Sequence, residues 1–354
     1  MKIQSAHAYK KFLRLKRPYT IARSTISNVE MVFLEVVLEN GMVGIGSSST
    51  DVEVVGESAD DTLANLNQGL DDLLVGRDIR MFLGLIDEVR QIFPAQPGTQ
   101  AAVDLALHDA FGKWAAIPVV DFYGRHHVQL PTSVTIGIKG VTETLAEAQE
   151  YKTLGFRVLK VKTGLDVAED AERIVKLRER FGDYFAIRVD ANTGYSIPEL
   201  LTFMEQVRGL DVELVEQPLP PGNEAAIRAL PGDIRRMLAA DESLKNARSA
   251  IELCQGEPYG IFNIKLMKCG GICGAMEIAA IARQCDIRLF WGCNDESRAS
   301  ITGALHAAFA CPHTRYIDLD GSLDLAEDFV AGGFILQEGI MRLPDTPGLG
   351  LRLM

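Results

Sequence analysis

The 354-residue chain has no apolar run near the roughly 18 residues of a membrane span, and its opening Met-Lys-Ile-Gln-Ser-Ala-His lacks the apolar core and small-residue cleavage site of a secretory signal. A soluble, cytoplasmic protein with no membrane partner is expected. Positive charge is in deficit, 36 Lys and Arg against 48 Asp and Glu for a net −12, whereas binding a nucleic-acid backbone needs clustered cations. No nucleic-acid partner is expected. The six cysteines, at 254, 269, 273, 285, 293 and 311, are scattered, and the nearest pair, Cys269 and Cys273, has no Cys or His cluster to complete a zinc site. They read as reduced thiols. The six histidines form no ligand spacing, with His108 on a helical stretch and His126-His127 at a junction, so structural roles are expected for them. Gly-x-Ser-x-Gly, a phosphate loop and a dinucleotide fingerprint are all missing, which removes the usual serine-nucleophile, nucleotide-triphosphate and hydride-transfer architectures.

What is present is a change of rhythm along the chain. In residues 1–124, two β-rich runs flank Glu39-Asn40-Gly41, an Asn-Gly hairpin signal, and helical spacing follows, as in Ala101, Ala102, Leu105, Ala106 and Ala110. That half reads as an α+β capping domain. From 125 to 322, short β-branched runs alternate with longer helical stretches, the pattern of βα repeats around a parallel sheet. Eight strands are predicted, at 133–138, 157–162, 186–190, 212–216, 237–240, 261–265, 287–291 and 314–318. The fold class is α/β, a modified (β/α)8-type barrel. The Gly- and Pro-rich tail, 323–354, has no helical unit of its own and is expected to complete the capping domain.

Five of the eight predicted strands end in a charged residue and Asp241 directly follows a sixth, although barrel strands are buried and charge there must be paired or bind metal. Active sites of such barrels lie at the C-terminal strand ends, so these charges converge. Asp190, Glu216 and Asp241 end successive strands. Any one could merely cap the next helix, but three together repel unless a cation joins them, and an all-oxygen site suits Mg²⁺. Lys160 and Lys162 lie two apart on one strand and face the same way, where mutual repulsion and a nearby divalent ion are expected to depress their pKa toward neutrality. A lysine so tuned can act as a base. Lys265 ends the sixth strand across the barrel, while Lys268 lies just past it and is expected to have a surface or structural role. A Schiff-base lyase or aldolase using a barrel lysine is an open alternative.

Lys160-Val-Lys162, Asp190-Ala-Asn192, Glu216-Gln-Pro, Asp241-Glu-Ser and Asn263-Ile-Lys-Leu-Met-Lys-Cys-Gly-Gly-Ile, in this order and spacing, closely resemble the muconate-lactonizing subgroup of the enolase superfamily. The resemblance spans the chain. It implies a (β/α)7β barrel under its cap, one Mg²⁺ per subunit on Asp190, Glu216 and Asp241, and Lys162 and Lys265 as acid/base groups on opposite faces of a carboxylate substrate. Asn192 and Glu242 are then supporting groups, Glu242 beside a lysine. Within the subgroup, Asp318 and Asp320 resemble the acidic pair of dipeptide epimerases, which holds the substrate's α-ammonium; as turn residues before Gly321 they would have no such role.

That resemblance implies inversion of the C-terminal residue's α-carbon by 1,1-proton transfer through an enediolate. N-acylamino acid racemase, o-succinylbenzoate synthase and cycloisomerase are the alternatives it leaves open. Lys160, Thr135 and Cys293 belong with the substrate-facing residues, and the loops at 17–28 and 46–56 are expected to set side-chain preference. Arg23, Asp51 and Glu53 lie in those loops and Asp295 at the seventh strand's end, and the acids suggest dipeptides carrying Lys or Arg. A homo-oligomer is plausible by family analogy alone.

Overall fold

The computed structural model describes residues 1–21 and 24–354. The chain opens with β1 (Ile3–Ile21), a 19-residue strand antiparallel to β2 (Ser24–Leu38), which pairs in turn with β3 (Val43–Ser48). The hairpin predicted at Asn40-Gly41 is the β2–β3 turn, and Gly41 takes φ 82° there, the left-handed conformation the turn demands. The long first strand was not foreseen. Helices α1 (Ala59–Asn67), α2 (Phe82–Ile92) and α3 (Pro97–Ala115) follow.

Helix α3 is buried on nearly all sides because it lies against β3 on one face and the barrel half on the other. Its small residues let the backbones close up: a Cβ on Gly46 would stand 2.0 Å from the Ala102 carbonyl oxygen. On its other face the Asp104 carboxylate accepts the Ile272 and Cys273 backbone N–H groups at 2.7 and 3.0 Å, capping a barrel helix from the first half of the chain.

All eight predicted barrel strands are present: β4 (Val134–Ile136), β5 (Val158–Lys162), β6 (Ala186–Asp190), β7 (Val212–Glu216), β8 (Leu238–Ala240), β9 (Ile261–Ile264), β10 (Arg288–Trp291) and β11 (Thr314–Ile317). They form one parallel sheet in sequence order, and a bridge between Thr132 and Ile317 joins its two edges. Helices run between successive strands: α4 (Val141–Thr153), α5 (Val167–Phe181), α6 (Ile197–Gln206), α7 (Ala247–Cys254), α8 (Ile272–Gln284) and α9 (Arg298–Phe309), with two short helices at Glu224–Arg228 and Gly232–Met237 between β7 and β8. No helix follows β11; the chain instead returns to β1, where Lys16 N–H donates to the Asp324 carbonyl at 2.7 Å. Among the described residues, no helix is long and apolar enough to cross a membrane.

At the seam between the halves, His306 of α9 is buried and its Nδ1 accepts the Val120 N–H at 2.9 Å. Burial, with the Arg125 and His108 charges, lowers its pKa to about 3. The unfolded chain takes a proton near pH 6.5 and the folded one does not, so this contribution is complete above pH 6.5 and is lost as the pH falls toward 3, on the order of 4 kcal/mol. His306→Gln, which keeps an acceptor, is expected to move the acid-unfolding midpoint downward in a circular-dichroism titration. An unmoved midpoint would assign acid unfolding to other groups.

Candidate active site

Because the sheet runs in sequence order, the strand ends present their charges as a row: Lys160 and Lys162 on β5, Asp190 on β6, Glu216 on β7, Asp241 just after β8 and Lys265 just after β9. The three acids are buried, at 1%, 0% and 3% exposure, too little for solvent to carry their charge. Lys162 Nζ donates to Asp190 Oδ2 at 2.7 Å and to Asn192 Oδ1 at 2.8 Å, while Lys265 Nζ lies 2.9 Å from Asp241 Oδ2. The two lysines therefore stand at opposite ends of the acid row.

Between them, Lys160 Nζ reaches Asp190 and Glu216 at 3.6 and 3.7 Å and forms a tighter pair with Asp318. Turns hold the row in place. Gln217, at φ 32°, accepts the Asp241 and Ser243 N–H groups on Oε1 and donates to the Leu219 carbonyl, tying the end of β7 to the end of β8. The Gln of Glu-Gln-Pro was legible in the sequence, but its role as a tie between two strand ends was not.

A divalent cation fits this donor set. Glu216 accepts the Asn263 amide on Oε1 at 2.5 Å, while its buried Oε2 has no hydrogen-bond partner among the described residues. Burial, and then the Asp190 charge, push Glu216 up to about 8, so this carboxyl tends to hold a proton that a divalent cation would replace. All the donors are carboxylate oxygens, the chemistry of Mg²⁺. Among the described residues, the group of ligand-type atoms lying within 4.8 Å of one another is a different one, Asp104, His108 and Cys273. There His108 Nδ1 is bonded to the Asp104 carbonyl, Nε2 to Tyr123, and the Asp104 oxygens to backbone N–H groups, so those lone pairs are already committed.

Two expectations are corrected. The pKa of Lys160 is raised well above the usual lysine value: burial alone would lower it, but Asp318, Glu216 and Asp190 outweigh that, and Lys265 is raised by Asp241 and Glu216 in the same way. Carboxylates, not fellow cations, are their nearest neighbours. Lys268 is not at the surface; its side chain is 4% exposed and pairs with Asp241. Glu242 accepts the Asn192 side-chain amide at 3.5 Å; burial and then the Asp241 and Asp190 charges raise its pKa, and the nearby Lys265 and Lys268 charges oppose that rise.

The acids past β11 divide their work. Asp318 is taken by Lys160 and by Ser133 Oγ at 2.6 Å, whereas among the described residues Asp320 accepts only the Thr135 N–H, at 2.8 Å, together with a long contact from Cys293 Sγ. Burial, then the Asp318 and Asp324 charges, push Asp320 up to about 8 against the opposing charge of Lys160. Thr135 thus acts through its backbone and Cys293 packs beneath the pair, with Sγ 3.2 Å from the Asp318 carbonyl.

Over the mouth, Ser49 Oγ donates to the Asp295 carbonyl at 2.6 Å, tying the loop after β3 to the loop after β10. Asp51 is exposed and Asp295 half-buried on those loops. Asp324, which sequence reasoning did not single out, adds a further acid: it is exposed, and partial desolvation and then the Asp295 charge raise it to about 6. Arg23 lies outside the described residues.

Residues 5–124 match the mandelate racemase / muconate lactonizing enzyme N-terminal domain, and residues 143–354 match the enolase C-terminal domain-like family. The chain is 51% identical to an L-Lys-D/L-Arg epimerase of Desulforapulum autotrophicum and 47% identical to one of Methylococcus capsulatus, in both cases over 99% of each chain. A crystal structure of dipeptide epimerase from Methylococcus capsulatus, complexed with Mg and the dipeptide L-Arg-D-Lys, superposes with a TM-score of 0.97 at 47% identity, covering 99% of each chain.

Proposed function

The chain belongs to the enolase superfamily, and from that membership and the row of charges at its barrel mouth we propose that it is a magnesium-dependent dipeptide epimerase. It is an isomerase that inverts the α-carbon of the C-terminal residue. The observation that carries this reading is the placement of Lys162 and Lys265 at the two ends of the acid row, one on Asp190 and the other on Asp241. Two bases on opposite sides of a bound α-carbon can remove a proton from one face and return one to the other, which a single base cannot do without turning the substrate over.

Asp190, Glu216 and Asp241 would hold Mg²⁺, which when bound supplies positive charge against the negative charge that builds on the substrate carboxylate as the α-proton leaves. Lys162 is oriented for its task by Asn192 Oδ1 as well as by Asp190. Asp320 takes the dipeptide's free α-ammonium, a positive charge that offsets its carboxylate neighbours, while Asp318 stays with Lys160. An N-acylated amino acid has no amine to offer there, so the same feature favours a dipeptide over the racemase alternative. The acids at the mouth, Asp51, Asp295 and Asp324, favour cationic side chains, in keeping with relatives named for Lys and Arg.

Incubation with Mg²⁺ and mixed L,L-dipeptides in D₂O tests the reading. A one-dalton gain by mass spectrometry, strongest for dipeptides containing Lys or Arg, is expected. Exchange on N-succinyl amino acids and none on any dipeptide would transfer the assignment to the racemase branch.

A further inference from the structure

Lys268 is a buried cation whose three ammonium hydrogens face three acceptors: Asp241 Oδ1, the Asp241 carbonyl at 2.6 Å and the Asn263 carbonyl at 3.4 Å. The Asp241 carboxylate is thus held from both sides, with Lys268 on Oδ1 and Lys265 on Oδ2. The two lysines are not equivalent. Among the described residues, Lys265 is tied to the carboxylate alone, at 11% side-chain exposure, whereas Lys268 is also anchored to two backbone carbonyls.

Lys268 rides on the short helix Leu266–Cys269, which ends in Gly270 and Gly271 at φ 79° and 97°. Those glycines lie so close to α3 that a Cβ would stand 2.2 Å from Gln100 and 2.5 Å from Asp104. The ammonium is therefore fixed by the docking of one half of the chain on the other.

We propose that Lys268 is a positioning residue that fixes the Asp241 carboxylate, keeping Oδ1 occupied so that Oδ2 is the oxygen presented to the divalent ion. This rests on the metal-dependent reading of the mouth. Without Lys268, the carboxylate is free to turn both oxygens onto Lys265, whereas with Lys268 on Oδ1, Lys265 meets Oδ2 alone and that oxygen keeps a lone pair for the ion. Groups that orient a metal ligand in this way are worth roughly 10- to 100-fold in metal affinity.

The test is Mn²⁺ binding to the full-length protein, followed by the paramagnetic-resonance signal of the free ion, so that it needs neither substrate nor turnover. Lys268→Met is expected to weaken binding within that range, and Lys268→Arg, which keeps the charge and donors, to recover most of it. Wild-type-like affinity in Lys268→Met, within twofold, overturns the proposal and leaves Lys268 a purely structural tie. Should Lys268→Met not fold, Lys268→Gln is judged by the same twofold threshold. If the wild-type protein itself binds no Mn²⁺, the metal-dependent reading falls and the role of Lys268 falls with it; tight binding by both proteins removes only the latter.

Discussion

Lys265→Ala is expected to abolish net epimerisation, by roughly 10²- to 10⁴-fold, while leaving α-proton exchange intact on one of the two diastereomers. Lys162→Ala should show the complementary pattern. The two ammonium groups are separated by the whole acid row, Lys162 on β5 beside Asp190 and Lys265 after β9 beside Asp241. Each can reach only one face of a substrate held between them, so losing one leaves the other able to remove and return its own proton without inversion. Deuterium uptake by the L,L and L,D dipeptides is measured separately for each variant. If both diastereomers still exchanged at wild-type rates in Lys162→Ala, that lysine would have no part in the chemistry.

Glu216→Gln is expected to separate function from stability. The side chain is wholly buried in the acid row, Oε2 has no hydrogen bond among the described residues and only a 3.7 Å ion pair with Lys160, and burial with the neighbouring negative charges opposes its ionisation. Neutralising it removes one of three carboxylates from the cation site, so divalent-ion affinity and activity should fall on the order of 10²-fold or more. The same change relieves repulsion in the metal-free protein, whose melting temperature should rise by a few degrees. Adding Mg²⁺ should then raise the wild-type melting temperature and leave the variant's unchanged, since a ligand stabilises only the state that binds it. A metal-free variant that melts below wild type would mean that the hydrogen bond from Asn263 outweighs the repulsion. Such trade-offs are expected where acids are packed together for binding and not for stability.

The charges that end the barrel strands were legible because both signals are local. A buried parallel strand is a short β-branched run, a βα repeat has a near-constant length, and a carboxylate or ammonium at the end of such a run is conspicuous against its apolar neighbours. Asp190, Glu216, Asp241, Lys162 and Lys265 could be named on that basis. Strand β1 escaped because Lys10, Lys11, Arg14 and Lys16 break up its apolar alternation, and its pairing with β2 is what makes it a strand.

By itself, then, the sequence determined the order of the elements, the eight barrel strands and the identity of the charges at their ends, all of which follow from periodicity and steric preference over a few residues. Only the tertiary structure decided which charge answers which. Lys160 was expected to be weakened by Lys162 and instead pairs with Asp318, 158 positions away, because the end of β11 comes round to meet the start of the barrel sheet. For Lys268 a surface or structural role was expected, and the surface half is excluded: it is buried on Asp241, because α3 presses the loop after it against the barrel. Electrostatic partners are fixed by distances of a few ångströms in space, and a linear pattern carries no record of those distances until the barrel has closed.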